Sequence, residues 1–469
     1  MKALLQRLHQ SAAAWSFFAT LLRVGANVFV LPVVLRKLSP DEFGIWIVFG
    51  SIGGLASLLD LGFEATITRM TAYAWGGASQ FVAFGIHLDD AVSEIRKPNL
   101  PLLRDLIATL KAYYFFVGMG VLILLTVGGG GYVWFMTRHL DSAGSLRLAW
   151  LVYAGGCCLN FVVGRWPALL TGVGAVRDAQ LASILSLLAY YVIVIAGLLC
   201  GLGIWALVLG FVGMGFVARS QGQMFFKRIV QLPAGLPGAH FHQEIFHAVW
   251  PNAWRTGLVG IGSFLSLQAN TLICSGILTL KETAAYGLSF QLVTMLFGLC
   301  NVWVAVKLPL INNLRQQGRS DEIVSLFARR MRLTILSYVV GALVIIFLAP
   351  WVLHWMKSKT PLIFPEQLAV LALIRLLELH QTQYCFLVLS ENYNPFLKPS
   401  LISGAGIVVV SMVLTPIYGV WGLILSMGLV GLFFNDWWPV LRALRGLKLK
   451  PADYFLHQFL RPKAWLELF

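Results

Sequence analysis

Two apolar runs near the start of the chain, SAAAWSFFATLLRVGANVFVLPVVL and IWIVFGSIGGLASLLDLGF, are separated only by the polar stretch RKLSPDEFG. At about 1.5 Å per residue each helix would cross the hydrocarbon core of a bilayer, so residues 11–62 are expected to form a transmembrane hairpin. Inside a membrane every backbone polar group has to be satisfied internally, and runs of this length do that as helices. Arg23 lies near the middle of the first run, where reaching an interface is hard and a charge is costly unless it faces protein or water. It shares a helical face with Ser16, Thr20 and Asn27, which recur at steps of four, three and four. Such a stripe has two uses: lining a water-filled cavity, or hydrogen bonding to neighbouring helices.

The rest of the chain repeats the signal. Of 469 residues, 58% are hydrophobic and only 12% charged, with a mean hydropathy of +0.78, the composition of a polytopic membrane protein. Twelve spans are expected, near 11–34, 43–62, 110–136, 147–171, 179–200, 203–226, 252–278, 283–306, 332–355, 366–390, 399–415 and 419–440. The fold class is therefore all-α. A net charge of +15 would suggest nucleic acid in a soluble protein. Here most of the lysines and arginines fall on the side that also holds both termini, which places the termini in the cytoplasm and the excess charge against anionic lipid headgroups. The N-terminal run lacks a small-residue cleavage site and is expected to be retained. The six cysteines lie in or beside spans without zinc or disulfide spacing, and act as small apolar residues.

The chain also repeats itself. A constant offset sets Thr20, Arg23 and Asn27 on Ser263, Ser266 and Asn270, and Phe43-Gly44 on Tyr286-Gly287. A second match pairs GIWALVLG, starting at Gly203, with GVWGLILS, starting at Gly419. Two related halves are expected: an N-terminal bundle of six helices over 1–230, a cytoplasmic connection over 231–251, a C-terminal bundle of six over 252–445 and a basic cytoplasmic tail over 446–469. The second copy keeps the polar stripe but has serine where the first has Arg23. That asymmetry points to a one-sided binding role for the arginine.

Within the first half, 63–109 is the longest insertion, with mixed charge and apolar residues that suggest an interfacial cytoplasmic helix. Gly128 to Gly131 loosen the third span, as a hinge or as a place for tight packing. In the connection, His240, His242, Glu244 and His247 lack a complementary ligand group, so no metal is expected. The tenth span carries Arg375, Glu378 and Thr382 on one face, with His380, Gln381, Gln383 and Tyr384 around it. Such a helix cannot face lipid, and its Arg375–Glu378 pair either holds the bundle together or lines a cavity. Arg165 and Arg255 lie close to cytoplasmic span ends, where snorkelling and substrate contact are both open.

No nucleophile constellation, phosphate loop, metal cluster or paired extramembrane carboxylates is present, and the loops are short, so neither an enzyme nor a cofactor is expected. The hairpin residues Leu38-Ser39-Pro40-Asp41-Glu42-Phe43-Gly44-Ile45-Trp46, the closing Leu58-Leu59-Asp60-Leu61-Gly62-Phe63 and the downstream Arg69 resemble polysaccharide transporters and O-antigen flippases (Wzx-type). These belong to the multidrug/oligosaccharidyl-lipid/polysaccharide (MOP) exporter superfamily. The resemblance implies two pseudo-repeated six-helix bundles around a central cationic cavity. It also implies movement of an undecaprenyl-diphosphate-linked oligosaccharide to the outer leaflet of the bacterial inner membrane by alternating access. Partners would be that lipid, membrane lipids, and a polysaccharide polymerase with its chain-length machinery. Buried arginine suits a diphosphate because it stays charged and binds phosphate through two parallel hydrogen bonds.

The residues proposed to contact substrate are Arg23, Asn27, Thr20, Ser266, Asn270, Arg165, Arg255 and Arg375. Glu378 and Asp60 are the carboxylates proposed to couple transport to an ion gradient. The alternatives are a lipid II flippase, a drug or cation antiporter of the same superfamily, and, from another class, a non-transporting scaffold or a glycan polymerase. The central Arg23 counts against the antiporter, and the short outer loops count against the polymerase.

Overall fold

The computed structural model describes residues 25, 30–59, 63–79, 97–231, 254, 257–391, 395–447 and 449–450. Among these, every regular element is helical and no strand occurs. The helices are α1 (Pro40–Leu58), α2 (Phe63–Trp75), α3 (Leu100–Thr137), α4 (Ala143–Gly172), α5 (Val176–Leu199), α6 (Ile204–Ile229), α7 (Gly257–Ile277), α8 (Leu280–Gln316), α9 (Ser320–Trp355), α10 (Pro365–Leu389), α11 (Leu397–Tyr418) and α12 (Val420–Gly446). Nine of the helices among the described residues are long and apolar enough to cross a membrane: α3 to α9, α11 and α12. Most of the expected first span and most of the connection between halves lie outside the described residues, as do His240, His242, Glu244 and His247.

Several helices overrun their expected spans. The helix expected from 110 starts at Leu100, where Asn99 accepts from the Leu102 N–H and Pro101 occupies the first turn. The span expected at 332–355 is the end of a helix that begins at Ser320, because the charged turns ahead of it are good helix formers outside the hydrocarbon. The insertion expected at 63–109 contributes α2, and residues 80–96 fall outside the described residues.

The described residues divide into two compact units, one holding 48–260 together with residues up to 38, the other holding 39–47 together with 261 onward. In the first unit, Trp150 is fully buried against Phe49, with ring centroids 5.0 Å apart. Its indole N–H donates to the Leu125 carbonyl at 3.0 Å. That carbonyl belongs to a π-helical turn, Leu124–Gly129, that interrupts α3 at the glycine run. Of the four glycines, Gly129 lies tight against Trp150 and Gly131 has open space beside it, so a close-packing site and a break in helix geometry coincide.

The second unit is built around α8, α9 and α10. The Tyr338 hydroxyl on α9 donates to the Ala372 carbonyl on α10 at 3.0 Å. Toward the other ends of these helices, Ile311, Phe327, Met331, Tyr384, Val440 and Leu444 form a separate apolar cluster. It is tied at its edge by Glu391, which pairs with Arg315 at 3.4 Å and Arg442 at 3.2 Å.

The sequence repeat reappears as backbone geometry. Gly203 opens α6 at φ 56°, ψ −135°, and Gly419 opens α12 at φ 59°, ψ −134°. This conformation is open to glycine and strained for any side chain, so one glycine-dependent turn starts the corresponding helix in each half. Two helix starts also share a device. Ser39 and Glu42 form reciprocal capping bonds ahead of α1, and Thr279 and Glu282 do the same ahead of α8.

Candidate functional site

In the first unit the polar features gather where α4 and α6 meet. Phe211, Gly215, Arg219 and Gly222 recur at steps of four, four and three along α6, which sets them on one face. Gly215 lies against Leu159 and Asn160 of α4, and Gly222 against Trp166, so that face is turned to α4. Arg165 begins the second segment of α4, directly after the turn at Gly164. Its guanidinium stands 5.3 Å from the Trp166 ring centroid and donates to the Val162 carbonyl at 3.2 Å. It is within electrostatic reach of Arg219 and of Tyr114. Neither arginine has an acidic partner among the described residues. Two guanidiniums brought together without a carboxylate repel each other, and an anion between them removes that cost.

Beside this pair is a cavity of about 350 Å³ lined by residues of α1, α2, α3, α4 and α6, among them Glu64, Tyr114, Asn160, Phe161, Gly164 and Phe211. Its aromatic walls are braced from behind. Tyr113, edge-on to Tyr114, stacks on Phe63 at 4.1 Å, and Phe211 stacks on Tyr153 at 4.7 Å. The Asn160 amide nitrogen donates to the carbonyls of Gly156 at 2.9 Å and Phe211 at 3.2 Å, which fixes the orientation of the side chain.

In the second unit the site centres on α10. Arg375 is 2% exposed, and its guanidinium stands 4.6 Å from the Phe297 ring centroid and 5.2 Å from that of Phe290, both on α8. It donates to the Glu378 carboxylate one helical turn on, as their spacing requires. A buried guanidinium is tolerable only with such company: the carboxylate supplies the opposite charge and the rings offer their negative faces. Its Nε has no hydrogen-bond partner among the described residues. Glu378 is 28% exposed and opens onto a cavity of about 40 Å³ shared with Ser266, Ser403, Asn435 and Asp436.

Asp436 carries no signal in the spacing of the sequence. The π-helical turn Gly431–Asn435 adds a residue to one turn of α12, closing with the Asp436 N–H on the Gly431 carbonyl at 2.9 Å. The carboxylate then lies over Gly431, where an added Cβ would meet it at 2.9 Å. The one available clue is that Asp436 is the sole acidic residue of the last expected span.

Of the residues proposed from the sequence, Arg23, Thr20, Asn27, Asp60 and Arg255 lie outside the described residues. Ser266 and Glu378 come together on the small cavity of the second unit, and Arg375 stands behind Glu378. Asn270 departs from its expected position. At 1% exposure, its amide donates to the Leu423 carbonyl at 3.1 Å and accepts from Ser411 at 2.7 Å, so it locks α7 to α11 and α12 in packed interior instead of lining a cavity. Arg165 is joined by Arg219, which carries little signal in the sequence because it stands near one end of its expected span, where snorkelling explains an arginine.

No protein-family model matches the chain, and no curated protein matches it in sequence. Solved structures do match. An inward-facing multidrug resistance MATE family transporter of the MOP superfamily superposes with TM-score 0.68 at 11% identity, over 94% of this chain and 99% of its own. The lipid II flippase MurJ in an inward closed conformation superposes with TM-score 0.62 at 12% identity, over 98% and 91%. A MOP superfamily transporter from Pyrococcus furiosus Vc1, described by the reverse polarity of its binding pocket, gives 0.55 at 12% identity, over 95% and 98%. At such identities the likeness is one of fold: the chain has the multi-pass, all-helical membrane fold of MOP superfamily transporters.

Proposed function

We propose that the protein is a flippase for an undecaprenyl-diphosphate-linked oligosaccharide, moving it from the cytoplasmic to the outer leaflet of a bacterial inner membrane by alternating access. It would act in O-antigen or exopolysaccharide synthesis beside a polymerase and chain-length machinery, with both termini in the cytoplasm. The observation that carries this reading is that Arg165 on α4 and Arg219 on the α6 face turned to it, between Gly215 against Asn160 and Gly222 against Trp166, have no acidic partner among the described residues. A diphosphate brings several negative charges and acceptor oxygens matched to guanidinium forks, while the polyprenyl tail needs no site because it stays in lipid. A cationic drug would meet two like charges there. Lipid II carries the same diphosphate chemistry and is the second reading, favoured by the fold match to a lipid II flippase.

Moving that headgroup outward requires an energy input. Glu378 and Asp436, with Ser266 and Asn435 beside them, give the second unit an acidic site for a proton or sodium ion, and Arg375 is the partner Glu378 would release or regain. The Glu378→Gln variant is expected to slow turnover more than it weakens substrate binding, and to reduce the dependence of transport on an imposed gradient. Proteoliposomes loaded with the lipid-linked oligosaccharide, assayed for leaflet exposure under proton and sodium gradients, test both parts. Transport of an organic cation with no movement of the lipid would overturn the reading. Unchanged gradient dependence in the variant would reduce Glu378 to a structural partner of Arg375.

A further inference from the structure

The cavity of the first unit has a use of its own. Its roughly 350 Å³ falls in the range of small-molecule sites, about 300–1,000 Å³, which is room for a compact ring system and too little for a polyprenyl chain. Tyr114, Phe161 and Phe211 give it aromatic walls held rigid by the stacking behind them. Asn160 spends its amide hydrogens on two backbone carbonyls and leaves its carbonyl oxygen without a donor among the described residues. The Glu64 carboxylate also lies at the lining.

Aromatic faces with acceptors around them fit a pyranose. One face of such a ring presents C–H bonds, which the negative face of an aromatic ring attracts, and its edge presents hydroxyls that donate to an amide or carboxylate oxygen. An organic cation would also find ring faces and a carboxylate here, but Arg165 directly follows Gly164 of the cavity wall and is within electrostatic reach of both Tyr114 and Arg219. Those two guanidiniums oppose a cation and favour a ligand whose next group is anionic.

We infer that this cavity seats the sugar ring nearest the lipid carrier, with Arg165 and Arg219 on the diphosphate joined to it; the inference rests on the flippase reading above. The adjacency of cavity and arginine pair is what a sugar bonded to a diphosphate requires. The first half would then recognise the substrate at the junction of sugar and carrier, whatever the outer sugars are.

The test uses the full-length protein in lipid nanodiscs and proteoliposomes. Saturation-transfer NMR with the free oligosaccharide reads ring contact, and leaflet transfer of two lipids, glycosylated and bare polyprenyl diphosphate, reads the consequence. Phe211→Leu removes one wall, and Gly164→Leu fills the cavity from the turn within α4, where an added Cβ would lie 3.3 Å from the Phe161 carbonyl oxygen and the neighbouring backbone would shift by a few tenths of an ångström. Each variant is expected to lose sugar saturation transfer and to lower the ratio of glycosylated to bare lipid transfer by about tenfold, the scale of one lost aromatic contact. An unchanged ratio in both variants would overturn the sugar site and leave the flippase reading standing. Displacement of the sugar signal by tetraphenylphosphonium with the ratio unmoved would also overturn it, in favour of a cation pocket. Failure of the wild type to move either lipid would instead overturn the flippase reading itself.

Discussion

In the first half, Arg165 and Arg219 lie on facing helices beside an aromatic cavity and have no acidic hydrogen-bonding partner among the described residues, Glu64 standing elsewhere on the cavity lining; in the second, Arg375 stands over two phenylalanines and is paired with Glu378. Both halves start the corresponding helix from the same glycine conformation, so the difference is laid over a shared scaffold. It teaches that an intramembrane arginine has two meanings. One whose charge is already answered holds structure and can participate in a switch, while one left unanswered invites a ligand.

The sharpest way to break that contrast is to remove the answered charge. Arg375→Ala leaves a carboxylate without its partner and two rings without their cation, and is expected to cost about 3–5 kcal/mol of stability, read as a lowered midpoint in thermal or denaturant unfolding. Arg165→Ala strands no charged partner and gives up one bond to the Val162 carbonyl and a ring contact with Trp166, so it should cost only about 0.5–1.5 kcal/mol in the same measurement. Equal losses at the two sites would mean that both arginines are structural.

The shared scaffold can be probed at its turns. Gly203→Ala and Gly419→Ala force a side chain into the same unfavourable backbone region, so each is expected to cost roughly 1–3 kcal/mol, and by similar amounts. A large cost at one and none at the other would show that the two turns differ in more than sequence. The smallest contrast lies along α7. Asn270→Ala leaves the Ser411 hydroxyl and the Leu423 carbonyl short of a partner and should cost about 1–3 kcal/mol, whereas Ser266→Ala removes only a bond to the carbonyl one turn back and should cost less than about 0.5 kcal/mol. A reversal of that order would place Ser266 in the packing and Asn270 on the cavity.

Much of this was legible before the structure. The apolar runs marked out helices, the two glycine-led segments marked the repeat, and the three-residue step from Arg375 to Glu378 marked an ion pair. What could not be read is whatever depends on helices meeting. Arg219 acquires meaning only when α6 lays it near Arg165, and the sugar-sized cavity exists only where several helices leave room around small residues such as Gly53, Ala56 and Gly164. Asp436 was hidden for a different reason: a single added residue in one turn re-aims it, and periodicity arguments assume that no such turn occurs. Asn270 misled because a polar residue on an apolar helix has the same spacing whether it faces water or a neighbouring backbone carbonyl.

The central claim, that the first half's unanswered arginines hold the diphosphate of a lipid carrier, is tested most directly by the Arg165→Ala/Arg219→Ala double variant in proteoliposomes containing a polyprenyl-diphosphate-linked oligosaccharide. With folding verified by an unfolding midpoint close to that of the wild type, the account predicts that leaflet transfer falls by about a hundredfold or more, the scale of losing two charge-assisted contacts. Transfer at the wild-type rate in the folded double variant would contradict it.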